Sequence, residues 1–267
     1  MVRVACANSL RYDSIMMSEP TEKQTSFGFQ TVPEGEKAHL VRGVFDRVAK
    51  HYDLMNDVMS VGVHRYWKAA MIDWLDPRPG MRLLDVAGGT GDIAFRFLDR
   101  AGSTARIVVA DINSAMLQVG RDRAIDRGRL DSIDWCAMDA ENLALPDGCV
   151  DAYSIAFGIR NVTHIEKALA EARRVLRPGG RFMCLEFSQV AWPGLDQLYE
   201  FYSFKLVPKL GSIIARDAEA YRYLVESIRK FPAQAEFADM IGAAGLGQVK
   251  WRNLSGGIAA LHSAWRI

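Results

Sequence analysis

No stretch of the chain is apolar for the roughly 18 positions that a membrane-spanning helix needs, so it is not expected to cross a bilayer. Cysteine is scarce and unpatterned. Cys6, Cys136, Cys149 and Cys184 form no C-x-x-C pair, which argues against zinc and dithiol chemistry and for a reducing, cytosolic-type compartment. There is no surplus of charge either: 33 Lys and Arg against 32 Asp and Glu leave a net +1, too little for a nucleic-acid binder driven by bulk electrostatics. His39, His51, His64, His164 and His262 lack metal-ligand spacing, and no metal site is expected. Internal repeats and low-complexity tracts are missing as well.

What is there reads as one α/β domain with additions. With 49% apolar and 24% charged residues the composition is that of an ordinary globular protein with a substantial core. Residues 1–25 read as a disordered leader, too polar for a signal peptide, with Met16 or Met17 as alternative starts. From Glu36 to Trp74 apolar residues recur at helical spacing (Leu40, Val44, Val48, then Trp67, Met71, Trp74) around the loop Tyr52 to Gly62. Beyond Pro77 and Pro79 short apolar runs alternate with amphipathic stretches. Strands are predicted over 81–86, 106–111, 133–138, 150–156 and 181–187, and helices starting near 91, 114 and 165; this alternation means βαβ units. Helices follow near 194–207, 216–229 and 233–244, and "GQVKWRNL" and "GIAALHSAW" then form an antiparallel hairpin across Ser255-Gly256-Gly257. The predicted fold is a Rossmann-like, mainly parallel seven-stranded sheet with a C-terminal antiparallel hairpin and a helical N-terminal addition. Its single domain spans 26–267: a helical cap (36–75), a cofactor-binding core (80–190), a helical substrate region (191–245) and the hairpin (246–267).

The stretch "LLDVAGGTGDIAFRFL", Leu83 to Leu98, places a glycine-rich turn between a strand and a helix. Gly89 to Ala94 satisfies G-x-G-x-x-A, which alone is a weak signal. Asp92 opens the helix, where its carboxylate is expected to repel the phosphate of a dinucleotide. Asp111 ends the next strand, placed to hydrogen-bond ribose hydroxyls, and Asp139, in "WCAMDAENL", can address an adenine amino group. Three acids, Asp85, Asp111 and Asp139, at successive strand ends suit a nucleoside that has no phosphate and carries a cation. S-adenosylmethionine fits that description.

Six motifs, "HYDLMNDVMSVGVHRYW", "LLDVAGGTGD", "ADIN", "FGIRNV", "RVLRPGGRFMCLEFS" and "DAEAYRYLVESIRKFP", closely resemble the ubiquinone/menaquinone biosynthesis C-methyltransferases, a class I S-adenosylmethionine-dependent family, over roughly 25–267. The resemblance implies C-methylation of a polyprenylated benzoquinol or naphthoquinol ring (2-polyprenyl-6-methoxy-1,4-benzoquinol, demethylmenaquinol or both). Family cofactor positions carry over to Thr90, Asp111, Asp139 and Ala140. A further cofactor contact is a serine in the family; here the position is Ala156, and backbone or Ser154 is expected to stand in. With Asp85, Gly89 and Gly91 from the turn, these residues make up the expected cofactor site.

An aromatic carbon is a poor nucleophile until a neighbouring phenol loses its proton, which asks for a base or for donors that hold the phenolate. Arg160 and Asn161 follow the fourth strand on the cofactor edge. Arg160, permanently charged, is given the phenolate, and on that reading Arg160→Met leaves the fold intact. Proton removal falls to water, Asp53 or His64, with Tyr52, Asp53 and Asn56 lining the acceptor site. In the 194–207 helix, Leu195, Leu198, Tyr199, Tyr202 and Leu206 share one stripe while Phe201, Phe204 and Val207 face elsewhere; this second group suits a prenyl tail, a lipid surface or a second subunit. The expected protein is cytoplasmic, in weak contact with the inner face of the membrane. A homodimer and a quinone-biosynthesis enzyme complex are the other partners considered, and nucleic acid is not one. Two alternatives stand beside this reading: another lipid or small-molecule methyltransferase, and a non-catalytic scaffold that binds S-adenosylmethionine.

Overall fold

The computed structural model describes residues 23–48, 57, 60, 62–190 and 218–267. Residues 1–22, Tyr52, Asp53 and Asn56 of the expected acceptor loop, and the helix predicted over 194–207 lie outside the described residues.

The core is a seven-stranded sheet in the order β5-β4-β3-β6-β7-β9-β8. Strands β3 (Arg82–Val86), β4 (Arg106–Asp111), β5 (Ile133–Ala137), β6 (Val150–Ala156) and β7 (Leu176–Phe187) run parallel. Strands β8 (Gly247–Leu254) and β9 (Ala259–Trp265) form the antiparallel hairpin, β9 pairing with β7. This is the predicted architecture. Its physical basis is visible in β3, where Leu83 and Leu84 are both buried: alternate residues enter apolar clusters on opposite faces, so the strand is a continuous apolar run with helices on each side. The first cluster takes Leu83 with side chains of α1 (Glu34–Val48), α2 (His64–Leu75), α3 (Asp92–Ala101) and α4 (Ser114–Asp126); the second takes Leu84 with α5 (Ile165–Val175) and α7 (Gln234–Ala243). Tyr221 and Leu224 of α6 (Ala218–Lys230) join the first. Among the described residues no helix is long and apolar enough to cross a membrane.

A small hairpin, β1 (Gln24–Phe27) and β2 (Gln30–Pro33), precedes α1 and begins inside the stretch read as leader. Its strands are four residues long and largely polar, with no periodicity to betray them. Phe27, stacked on Tyr223 with ring centroids 4.2 Å apart, is its anchor.

The chain leaves β3 outward through β4 and β5, then returns to β6 on the other side of β3. Such a reversal opens a crevice beyond the carboxyl ends of β3 and β6. Trp67 fixes α2 against this edge: its ring meets Phe187 edge-on at 5.8 Å and its Nε1–H donates to Ser255 Oγ at 2.9 Å.

Candidate active site

The turn after β3 is shaped by close approach. A Cβ on Gly88 would stand 2.8 Å from both Asp85 Oδ2 and Val109 Cγ1, so only glycine lets the backbone pass. Gly91 is left-handed at φ 79°, and a Cβ there would meet the Trp135 ring at 2.5 Å. Gly91 therefore packs the turn onto β5 rather than lining the crevice. Ala87 and Phe157, just past the ends of β3 and β6, hold positive φ of 49° and 58°. Non-glycine residues in this region cost about 1–3 kcal/mol each, and such strain clusters at functional sites.

Between α1 and the ends of β3, β4 and β6 lies a cavity open to solvent. Gly89, Asp111, Asp139, Ala140 and Asn161 line it, with apolar walls from Val86, Ile112, Met116, Met138 and Phe157. The Asp111 carboxylate accepts from the Gly89 amide at 2.9 Å and the Asn113 amide at 2.8 Å. Burial pushes its carboxyl up to about 6 despite these donors. On the far side of Ala87, which lines both spaces, a smaller charged recess is lined by Lys68, Asp85, Thr90, Asp92 and Ala156. Asp85 is 1% exposed. Its Oδ1 accepts from Ser154 Oγ at 2.6 Å, while Oδ2 is buried with no hydrogen-bond partner among the described residues. Burial raises this carboxyl to about 7. An apolar slot edged by acids, beside a recess with a carboxylate oxygen unpartnered among the described residues, fits a nucleoside bearing a cationic tail.

Several expectations need correction. Asp92 does not present a free negative charge at the start of α3: Lys68 Nζ and Arg96 Nε each stand 2.9 Å from its carboxylate. Burial opposes its ionisation, yet those cations hold it down at about 2, so repulsion of a phosphate by Asp92 carries no weight. Ser154 is buried and committed to Asp85, which makes it a support for that acid and not a substitute at position 156.

Arg160 is not turned to the nucleoside slot. It is 8% exposed, its Nη1 donates to Glu186 Oε1 and to the Phe157 carbonyl, both at 2.7 Å, and its Nε donates to Ser227 Oγ at 3.3 Å. A guanidinium matched by a buried carboxylate has little positive charge to lend a phenolate. Its neighbour Asn161 does line the slot, with Oδ1 accepting from Tyr223 Oη at 2.9 Å. Arg160 thus anchors the turn Ile159–Asn161 that presents Asn161. His64 is 3% exposed, with Nε2 2.9 Å from Asp57 Oδ1 and Nδ1 without a partner among the described residues. Burial, helped by Lys68, keeps it neutral to lower pH than an ordinary histidine.

Sequence reasoning missed Lys68 and the α1 wall of the slot, Ala38, Val41, Arg42 and Phe45. The signal for Lys68 was a lysine interrupting the apolar face Trp67, Met71, Leu75. Helix α1 is clasped by His164, whose Nδ1 lies 2.6 Å from Glu141 Oε2 and whose Nε2 lies 3.1 Å from Glu34 Oε2; Lys167 stands 3.4 Å from Nδ1. The hydrogen bond to Glu141, opposed by desolvation and aided by Glu34, raises the His164 pKa. With the folded value raised, the clasp is fully present below the ordinary histidine range and is lost as pH rises through that value. Protection factors of the α1 amides, hydrogen-exchange rates corrected for the intrinsic base catalysis of exchange, are expected to fall on alkaline passage through it, and His164→Ala is expected to abolish that fall.

The sequence profile of the ubiE/COQ5 methyltransferase family matches residues 31–266. The chain belongs to that family. It is 60% identical over 251 residues to the ubiquinone/menaquinone biosynthesis C-methyltransferase UbiE of Paracoccus denitrificans, covering 94% of this chain and 100% of that one. To the UbiE of Brucella abortus it is 57% identical over 244 residues, 91% of each chain. Among solved structures, a SAM-dependent methyltransferase from Aquifex aeolicus superposes with a TM-score of 0.56 at 16% identity, over 75% of this chain and 89% of that one. Phosphoethanolamine N-methyltransferase 2 of Haemonchus contortus, solved with phosphomonomethylethanolamine and S-adenosylhomocysteine, gives 0.56 at 13%, over 75% and 52%. The fold is that of the class I methyltransferases, and this protein is a methyltransferase.

Proposed function

We propose that the protein methylates a ring carbon of a polyprenylated benzoquinol or naphthoquinol, in ubiquinone biosynthesis, menaquinone biosynthesis or both. The methyl donor is S-adenosylmethionine. The observation that carries the reading is the crevice itself, an apolar slot edged by Asp111 and Asp139 that shares the wall residue Ala87 with a recess where Asp85 Oδ2 has no hydrogen-bond partner among the described residues. Residues at the slot fit the nucleoside, with Asp111 for the ribose and Asp139 and Ala140 for the base; Asp85, Thr90 and Ala156 serve the tail.

When bound, S-adenosylmethionine supplies an electrophilic methyl group. The chain's residues do the rest. Asn161 offers an amide donor to the ring oxygen as it loses its proton, stabilising charge that develops during the reaction. Arg160, through Glu186, holds the turn that places Asn161. Proton removal falls to water, Asp53 or His64; His64 is held in the neutral form a base needs. For the acceptor, the prenyl tail calls for an apolar surface, and we assign it to the helix predicted over 194–207, from which the protein also touches the inner face of the membrane, a second copy or other quinone-synthesis enzymes. Liposome flotation is expected to show weak, reversible association that Phe201→Ser with Phe204→Ser abolishes.

Calorimetry tests the cofactor site. S-adenosylhomocysteine is expected to bind, and Asp111→Ala to weaken it by about 1 to 3 kcal/mol, the usual loss for a hydrogen bond to a charged group. An unchanged dissociation constant removes Asp111 from the site.

A further inference from the structure

We infer that a second cavity, beneath the β1–β2 hairpin, binds a phosphate group as a dianion. It lies across the 159–163 segment from the nucleoside slot: Val162 and Thr163 line both, but the rest of its wall comes chiefly from β1, α1 and α6. Three cations reach it, Lys37 from α1, Arg160 from the turn after β6 and Lys230 from the end of α6, and none of its lining residues is Asp or Glu. The hydroxyl-bearing residues Thr25, Ser26 and Thr163 complete a wall rich in donors.

The donors there outnumber their partners. Lys37 is 5% exposed, and its Nζ donates to the Val162 carbonyl at 2.9 Å and to no carboxylate among the described residues. An ammonium has three hydrogens to donate and no acceptor capacity, so two are left over where little water reaches. Glu141 is the acid whose field acts on Lys37, and its own oxygens are taken by the Thr163 and His164 amides and the His164 ring. Arg160 spends Nη1 and Nε on Glu186, the Phe157 carbonyl and Ser227, which leaves the Nη2 hydrogens without a partner among the described residues. Glu226, close to the hairpin turn, accepts from the Phe29 amide at 3.0 Å. With Arg160 matched by Glu186, buried Lys37 and exposed Lys230 are two cations that no acid among the described residues neutralises. A dianion matches both. A tetrahedral oxyanion also presents acceptors in several directions, to donors that arrive from α1, α6, β1 and the 159–163 segment. A carboxylate brings one charge and two oxygens in a plane, and chloride brings one charge and no directed acceptor. Charge-assisted hydrogen bonds of this kind contribute more than neutral ones, and Lys37 is already desolvated before the ligand arrives.

The alternative is that Lys37 only ties α1 to the Val162 carbonyl and that Lys230 is an ordinary solvated lysine. Titration of the full chain with inorganic phosphate, replacing chloride at constant ionic strength, separates the two. Saturable binding of one phosphate per chain is expected. Lys37→Gln is expected to weaken it about 10-fold or more, the scale of one hydrogen bond between charged groups, and Lys37→Arg to keep part of the affinity. Lys230→Glu is expected to weaken it roughly threefold, as suits an exposed cation, and because it disturbs no buried contact it decides alone if Lys37→Gln does not fold. Saturating S-adenosylhomocysteine is expected to leave the phosphate bound, since the two cavities are separate. Glycerol 3-phosphate and vesicles of phosphatidylcholine with phosphatidic acid then compete for the bound phosphate. Displacement by the vesicles identifies a lipid headgroup as the source, displacement by the soluble ester alone a free phosphate, and either one occupies this cavity. Binding that never saturates, an unchanged dissociation constant in Lys230→Glu, or displacement by S-adenosylhomocysteine overturns the assignment. The inference does not rest on the cofactor reading: a chain that binds phosphate in this way but no S-adenosylhomocysteine refutes that reading and keeps this one.

Discussion

Arg160→Met is expected to lower the stability of the fold by about 3 to 5 kcal/mol, the cost of leaving one member of a buried ion pair without the other. For a chain of this size that is a fall in thermal midpoint of roughly 6 to 20 °C. The cause is Glu186, 1% exposed, with Oε1 held by Arg160 Nη1 at 2.7 Å and by the Phe187 amide at 2.8 Å. Burial already pushes its carboxyl up, and the nearby guanidinium is what opposes that rise. Removing the guanidinium forces Glu186 either to stay charged in an apolar setting or to take a proton. Replacing both partners by apolar groups removes the penalty, so Arg160→Met combined with Glu186→Met is expected to regain most of the midpoint. Turnover then separates a positioning role from a direct one. If Arg160 acts through the turn that carries Asn161, the repaired double variant keeps much of its turnover. A stable double variant that remains about 100-fold slow, the scale of a deleted oxyanion donor, returns the guanidinium to the reacting atoms.

Cofactor affinity is expected to fall about tenfold for each pH unit below 7, one unit being 1.36 kcal/mol of interaction. Asp85, pushed up to about 7 by burial, is protonated below that value in the free protein and must ionise to accept an ammonium group. The sign follows from linkage. Between the ordinary carboxyl value of 3.8 and about 7 the folded protein holds a proton that the unfolded chain has lost, so unliganded stability falls as pH rises through that window. Ligand binding works the other way, releasing up to one proton below pH 7. Asp111, raised to about 6, steepens the dependence at more acidic pH. Titrations in buffers of different ionisation enthalpy count the protons. Asp85→Asn is expected to bind weakly and to flatten the slope. A dissociation constant that stays constant from pH 5.5 to 8, or proton uptake on binding, contradicts the assignment.

Much of this architecture was legible in the sequence because parallel strands buried on both faces are written locally. Runs such as "RLLDV" and "RIVVAD" need no partner to be recognised, and their alternation with amphipathic stretches predicts the crossovers. The strand-end acids were legible for the same reason: once the sheet is parallel, Asp85, Asp111 and Asp139 share one edge whatever the helices do. Charge pairing was not legible. Lys68 meets Asp92 24 residues away, Arg160 meets Glu186 26 away, and His164 reaches back to Glu34 in α1. None of these pairs is set by helical or strand spacing, so Arg160 read as a free cation and Asp92 as a free anion when each was already matched. The β1–β2 hairpin escaped for a related reason, since Phe27 is stabilised by Tyr223 from α6 and not by anything in its own segment.

Transfer of a labelled methyl group tests the central claim most directly. The protein is incubated with methyl-labelled S-adenosylmethionine and a short-chain demethylated benzoquinol or naphthoquinol, and the product is analysed for the position of the label. The account predicts label on a ring carbon of the quinol, lost in Asp111→Ala at limiting cofactor. Label on a phenolic oxygen, or no transfer from a protein that binds S-adenosylmethionine normally, would contradict it.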